Sequence, residues 1–75
     1  MYIVSISVEK RQAEIPEVQD ILTKFGENIL ARLGVHNCKK EKHGLIIVVY
    51  EAENIEEFIE ELNTIKNIQV NFMEA

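Results

Sequence analysis

Three side chains in one short polar stretch are able to ligate a metal: His36, Cys38 and His43, within HNCKKEKH. Imidazole and thiolate suit zinc, nickel or copper, and a hairpin would bring His36 and His43 across from one another. The spacing matches no strong metal motif, and Lys39, Lys40 and Lys42 set positive charge beside any cation, so a solvated loop is the competing reading. A symmetric oligomer would supply missing ligands from a second chain. Arg32 is another candidate, a charge inside an otherwise apolar stretch. A guanidinium in such a place pairs with a carboxylate or an anionic ligand through its planar fork. Arg32, Gly34 and His36 therefore form a candidate ligand or interface strip, with water or a salt bridge to Glu51 as the alternatives for Arg32. Tyr50 is a candidate for the same role, core packing being its plainer assignment. Nucleophile–base sets, phosphate-cradling loops and paired acid/base carboxylates are missing, so the chain reads as a non-enzyme, and its residues name no cofactor.

The elements that must position these residues are organised around Gly44 to Ala52, GLIIVVYEA. Leu45 to Tyr50 are consecutive apolar residues, rich in β-branched side chains and too few for a buried helix, which predicts a strand covered on both faces. Tyr2 to Val8 alternates, Val4, Ile6 and Val8 against Ile3, Ser5 and Ser7, and predicts a first strand with one face in the core. After a polar turn at Glu9 to Gln12, the spacing of Val18, Ile21, Leu22 and Phe25 predicts an amphipathic helix. Pro16 fits its opening turn, and Gly26 is suited to close it in the left-handed conformation.

Residues 27–33 admit two readings. Ile29 and Leu33 continue the helical spacing from Phe25, yet Ile29, Ala31, Leu33 and Val35 also alternate as a strand. The strand is favoured, because Gly26 is a stop signal and the strand at Leu45 to Tyr50 needs a hairpin partner. His36 to His43 is then the hairpin loop. Asn54, with Glu57 three residues on, reads as an N-cap for a second helix along Ile55, Phe58, Ile59, Leu62 and Ile65. Lys66-Asn67 leads to a last strand in which Ile68, Val70 and Phe72 alternate with Gln69, Asn71 and Met73. The order β-α-β-β-α-β, with right-handed crossovers, gives a four-stranded antiparallel sheet with two helices on one face, the α+β ferredoxin-like sandwich. The whole chain, 1–75, is one such domain.

Two helices cover one side of that sheet, yet the third strand is apolar on both sides. Leu30 or Ile29, with Leu45, Ile47 and Val49, would leave an apolar patch on the far side, and a second copy of the chain is the expected cover. At 75 residues the core is small, which also favours a homo-oligomer, dimer or tetramer. The net charge of −5 argues against direct DNA binding. It is unevenly spread: residues 1–42 hold seven basic and six acidic side chains, residues 43–75 one basic and seven acidic. A solvated acidic face on the second helix explains most of this, and docking of a protein partner there is the alternative. No apolar run approaches the ~20 residues of a membrane span, no signal peptide is visible, and one cysteine fits a reducing cytoplasm.

The stretches Ile15-Pro16-Glu17-Val18-Gln19-Asp20-Ile21-Leu22, Phe25-Gly26 and Ile29-Leu30-Ala31-Arg32-Leu33-Gly34-Val35 resemble the iron-only hydrogenase system regulators, over nearly the whole chain. The most specific part is Arg32-Leu33-Gly34-Val35, similar to that family's Arg-Met-Gly-Ile strand. The resemblance implies an ACT-type ferredoxin-like fold, similar to the C-terminal regulatory domain of the nickel-responsive repressor, and an effector-sensing role in transcriptional regulation. The chain departs from the pattern with His36 in place of a proline and Lys66-Asn67 in place of Pro-Gly. It also lacks the glycine-bearing turn after the first strand with which ACT domains bind amino acids. No ribbon-helix-helix segment stands ahead of Tyr2, so the expected route of regulation is a partner or an effector.

Overall fold

The third strand, β3 (Gly44–Tyr50), lies inside a four-stranded antiparallel sheet of order β2-β3-β1-β4. Its neighbours are β1 (Tyr2–Val8) and β2 (Ile29–His36), and β4 (Ile68–Glu74) completes the sheet beyond β1. The chain order is β1, α1 (Arg11–Lys24), a short 3-10 turn, β2, β3, α2 (Glu56–Leu62), β4, the ferredoxin-like α+β arrangement. The computed structural model describes residues 1–9, 11–36 and 43–75, the side chains of residues 11–13 and 36 excepted.

Alternation decides which side of each strand is covered. Val4, Ile6 and Val8 on β1, and Ile46, Val48 and Tyr50 on β3, are buried under the helices with Val18, Leu22, Ile55, Phe58, Leu62 and Ile65. These positions have the period-2 and 3.6 spacings that bring apolar residues to one face. Phe58 is the largest fully buried side chain, and Tyr50 stacks flat on it. Lys24 on α1 meets Glu61 on α2 at 3.0 Å, a largely exposed pair that ties the two helices at the surface.

Several local expectations are corrected. Helix α1 begins at Arg11, so Arg11 and Gln12 are helical and not part of a turn, and Pro16 is its sixth residue, past the opening turn. Gly26 is not left-handed; it opens the 3-10 turn Gly26–Asn28, which begins once Phe25 N–H has bonded the Ile21 carbonyl. Among the described residues the left-handed one is Asn67, at φ 63°, one of the non-glycine types that tolerate that region. Helix α2 starts at Glu56 with Ile55 as its N-cap and no side-chain cap, so the Asn54–Glu57 capping pair does not form. Ile55 enters the core at that point, and its burial sets where the helix begins.

Candidate functional site

The sheet register sorts the candidate residues onto opposite faces. Arg32 and Gly34 stand opposite Val48 and Ile46, which places both on the helix side of edge strand β2, and the His36 backbone continues the same register opposite Gly44. Arg32 donates from Nη2 to the Gln19 Oε1 on α1. It forms no pair with Glu51, whose carboxylate lies 3.3 Å from the Met1 amino group. A Cβ added at Gly34 would meet nothing within 4 Å among the described residues, so the strand lies beyond the cover of α1 at that point. Tyr50 sits elsewhere, in the core and 4% exposed, with its ring against Phe58 and Phe25. It is a packing residue and not part of the Arg32 strip. Its burial raises the phenol above its ordinary value, with the Glu57 carboxylate adding to the effect.

The other face of the sheet is uncovered by either helix. Three rows of paired positions cross it: Ala31, Val49, Ile3 and Met73; Leu33, Ile47, Ser5 and Asn71; Val35, Leu45, Ser7 and Gln69. Eight of these twelve positions are apolar, four are polar and uncharged, and none carries a charge. In a chain with 28% charged residues this is a depleted surface. Of the expected interface set, Leu45, Ile47 and Val49 do share this face. Leu30 falls in a bulge between Ile29 and Ala31, where it is 61% exposed and faces no partner in the ladder. The bulge turns Ile29 toward the core and hands the outward positions to Ala31, Leu33 and Val35. Leu33, also 61% exposed, lies on this face, a choice between the two sets of β2 residues that alternation alone left open.

A third region gathers polar groups at the end of the sheet near Val8. The Asn67 carbonyl accepts from the Glu9 N–H at 3.1 Å, and Asn67 Nδ2 lies 3.5 Å from the carboxylate of Glu14. Glu14 is a buried carboxylate that the sequence reading passed over. The signal was there: Glu14, Val18 and Leu22 follow at four-residue intervals on one helix face. Ser7, Glu9, His43, Asn67 and Gln69 line a cleft of ≈380 Å³ at this end, and His43 Nδ1 is buried without a hydrogen-bond partner among the described residues. Among the described residues no three His, Cys, Asp or Glu side chains gather as a metal site. Cys38 of the expected metal set lies outside the described residues, as does the side chain of His36.

Residues 1–71 match one family model, over both candidate faces. The chain belongs to the TM1266-like family. Its description is iron-only hydrogenase system regulator, putative. Among solved structures, the chain is similar to the uncharacterized protein TM1266 from Thermotoga maritima, with 30% identity and a TM-score of 0.85 over 96% of this chain and 91% of that one. It also resembles an unknown protein from Galdieria sulphuraria, at 14% identity and TM-score 0.72, spanning 99% of this chain and 44% of that one. A formyltetrahydrofolate deformylase from Pseudomonas putida KT2440 shares the fold at 7% identity and TM-score 0.65, over 99% of this chain and 28% of the enzyme. Comparison with curated proteins by sequence finds no match. Among the described residues, no helix is long and apolar enough to cross a membrane.

Proposed function

We propose that this family member is an effector-sensing regulatory module that works as a homo-oligomer and acts on transcription without touching DNA itself. The observation that carries the assembly is the uncharged open face of the sheet, for which a second copy of the chain is the natural cover. Four strands ~4.8 Å apart and seven residues rising ~3.4 Å each make a face of roughly 19 by 24 Å. Two such faces remove about 900 Å² before side-chain relief is counted, near the ~1,200 Å² lower bound of stable interfaces. The assembly is therefore reversible and concentration-dependent. The effector site is the strip of Arg32, Gly34 and His36, which lies on the opposite side of β2 from that interface. Arg32 supplies a fixed cation, and the open space over Gly34 admits a small anionic molecule. Strand β2 belongs to both surfaces, so a ligand that stiffens it on one side changes the fit on the other.

A thermal-shift series with carboxylate and phosphate metabolites, run on the wild type and on Arg32→Ala, tests the sensing part. A shift present in the wild type and lost in the variant is the expected result; no shift with any anion rejects it.

A further inference from the structure

The pattern on the open face also specifies how a second copy sits on it, an inference that rests on the covering of that face proposed above. Four strands span ~14 Å from first to last, and three rows at two-residue intervals span the same ~14 Å, so the patterned area is nearly square. One row, Ala31 to Met73, is apolar across all four strands. Below it, the β2 and β3 columns are apolar, whereas the β1 and β4 columns carry Ser5, Ser7, Asn71 and Gln69. The apolar region is thus an L whose corner is Ala31, and the polar quadrant ends in the opposite corner at Gln69.

A two-fold axis lying in the interface reflects this pattern across itself onto the second copy. An axis along the strands sets Leu33 and Ile47 over Asn71 and Ser5 of the second copy. An axis across the strands sets Ile3 and Met73 over Ser7 and Gln69. The diagonal through Val35 and Met73 lays Ala31 over Gln69. Of the four axes, the diagonal from Ala31 to Gln69 brings the apolar L and the polar quadrant nearest to lying on themselves, the mismatch being confined to their shared margin, where Leu45 falls beside Asn71. We infer that the two sheets pack face to face about this diagonal, with their strands crossing near 90°, the orthogonal class of sheet packing. Val35 and Leu45 then lie over the hollow of ≈240 Å³ between β1 and β4, which Ile3, Ser5, Asn71 and Met73 help to line. Gln69 then meets its own copy and Ser7 lies against Asn71 of the second copy, which places the hydrogen-bonding groups of the interface at the polar corner.

Cross-linking reads this geometry directly. In a Cys38→Ser background, A31C and Q69C each place two thiols on the axis, one from each sheet, ~10 Å apart. V35C or M73C alone places them at opposite corners, about 22 Å apart by the same spacings. With a short bismaleimide, A31C and Q69C are expected to give covalent dimers, V35C and M73C alone to give none, and an equimolar mixture of V35C and M73C to cross-link. All four sites are at the surface, and circular dichroism checks the fold of each variant. A dimer by sedimentation in which V35C links to itself, or A31C does not, overturns the diagonal packing while leaving the covered face intact. A monomer at every concentration overturns both.

Discussion

The Tyr50 ring lies parallel to the Phe58 ring, with centroids 4.4 Å apart and planes within 2°. This contact joins the end of β3 to the middle of α2, and Phe25, just past the end of α1, closes on both rings at 6.5 and 5.2 Å. An aromatic pair adds ~0.5–1.5 kcal/mol to the burial of its rings. Replacing a buried Phe with Ala costs ~3–5 kcal/mol, as much as the ~3–5 kcal/mol a core of this size supplies. Phe58→Ala is therefore expected to leave the chain unfolded at 25 °C by far-ultraviolet circular dichroism. A cooperative melt within a few degrees of wild type would show that the aromatic cluster is not what holds the two halves together.

Alkaline pH acts on the same cluster. Burial raises the Tyr50 phenol, so the native state holds that proton more tightly than the unfolded chain does. The resulting stabilisation is complete below about pH 10 and is lost as pH climbs through the folded-state value. Urea midpoints followed from pH 8 to 11 should fall more steeply in the wild type than in Tyr50→Phe. Equal slopes would remove Tyr50 from the explanation.

Asn67 holds the left-handed position before β4, with its carbonyl bonded to Glu9 N–H. Asn67→Val places a β-branched residue there and should cost ~1–2 kcal/mol, whereas Asn67→Gly should change stability by only a few tenths, since glycine pays no steric penalty at positive φ. Chemical denaturation of the two variants gives the comparison. Equal losses would assign the residue's importance to its side chain and its approach to Glu14.

Gly34 separates stability from binding. It is a strand residue with open space where a side chain would go, and valine fits a pleated edge better than glycine does. Gly34→Val should raise the melting temperature slightly and abolish any anion-induced shift at Arg32. A variant that retained the shift would move the ligand away from this strip.

The fold was readable because its signals were strong and local. Tyr2 to Val8 and Leu45 to Tyr50 carry the period of strands, Val18 to Phe25 and Phe58 to Leu62 that of helices, and their order admits few topologies. Ends were less readable, since they depend on tertiary burial: Ile55 is drawn into the core ahead of Glu56, and the capping chemistry of Asn54 goes unused. The open face was half legible. Leu45, Ile47 and Val49 follow from alternation, but the bulge at Leu30 is set by how β2 pairs with β3, and no composition signal marks it. Glu14 was hidden for a different reason, a charged residue on an apolar stripe being easily taken for the helix's first solvated turn.

The most direct test of a self-covering sheet is sedimentation velocity on the wild type and on Ile47→Glu, from a few micromolar to several hundred. Ile47 lies near the middle of the open face, outside the buried core, so a glutamate there charges the interface and leaves the fold intact. The wild type is expected to pass from monomer to dimer or tetramer as concentration rises, and Ile47→Glu to remain a folded monomer throughout. A wild type that stays monomeric at every concentration, or a charged variant that assembles as well as the wild type, would contradict the covering of that face by a second copy.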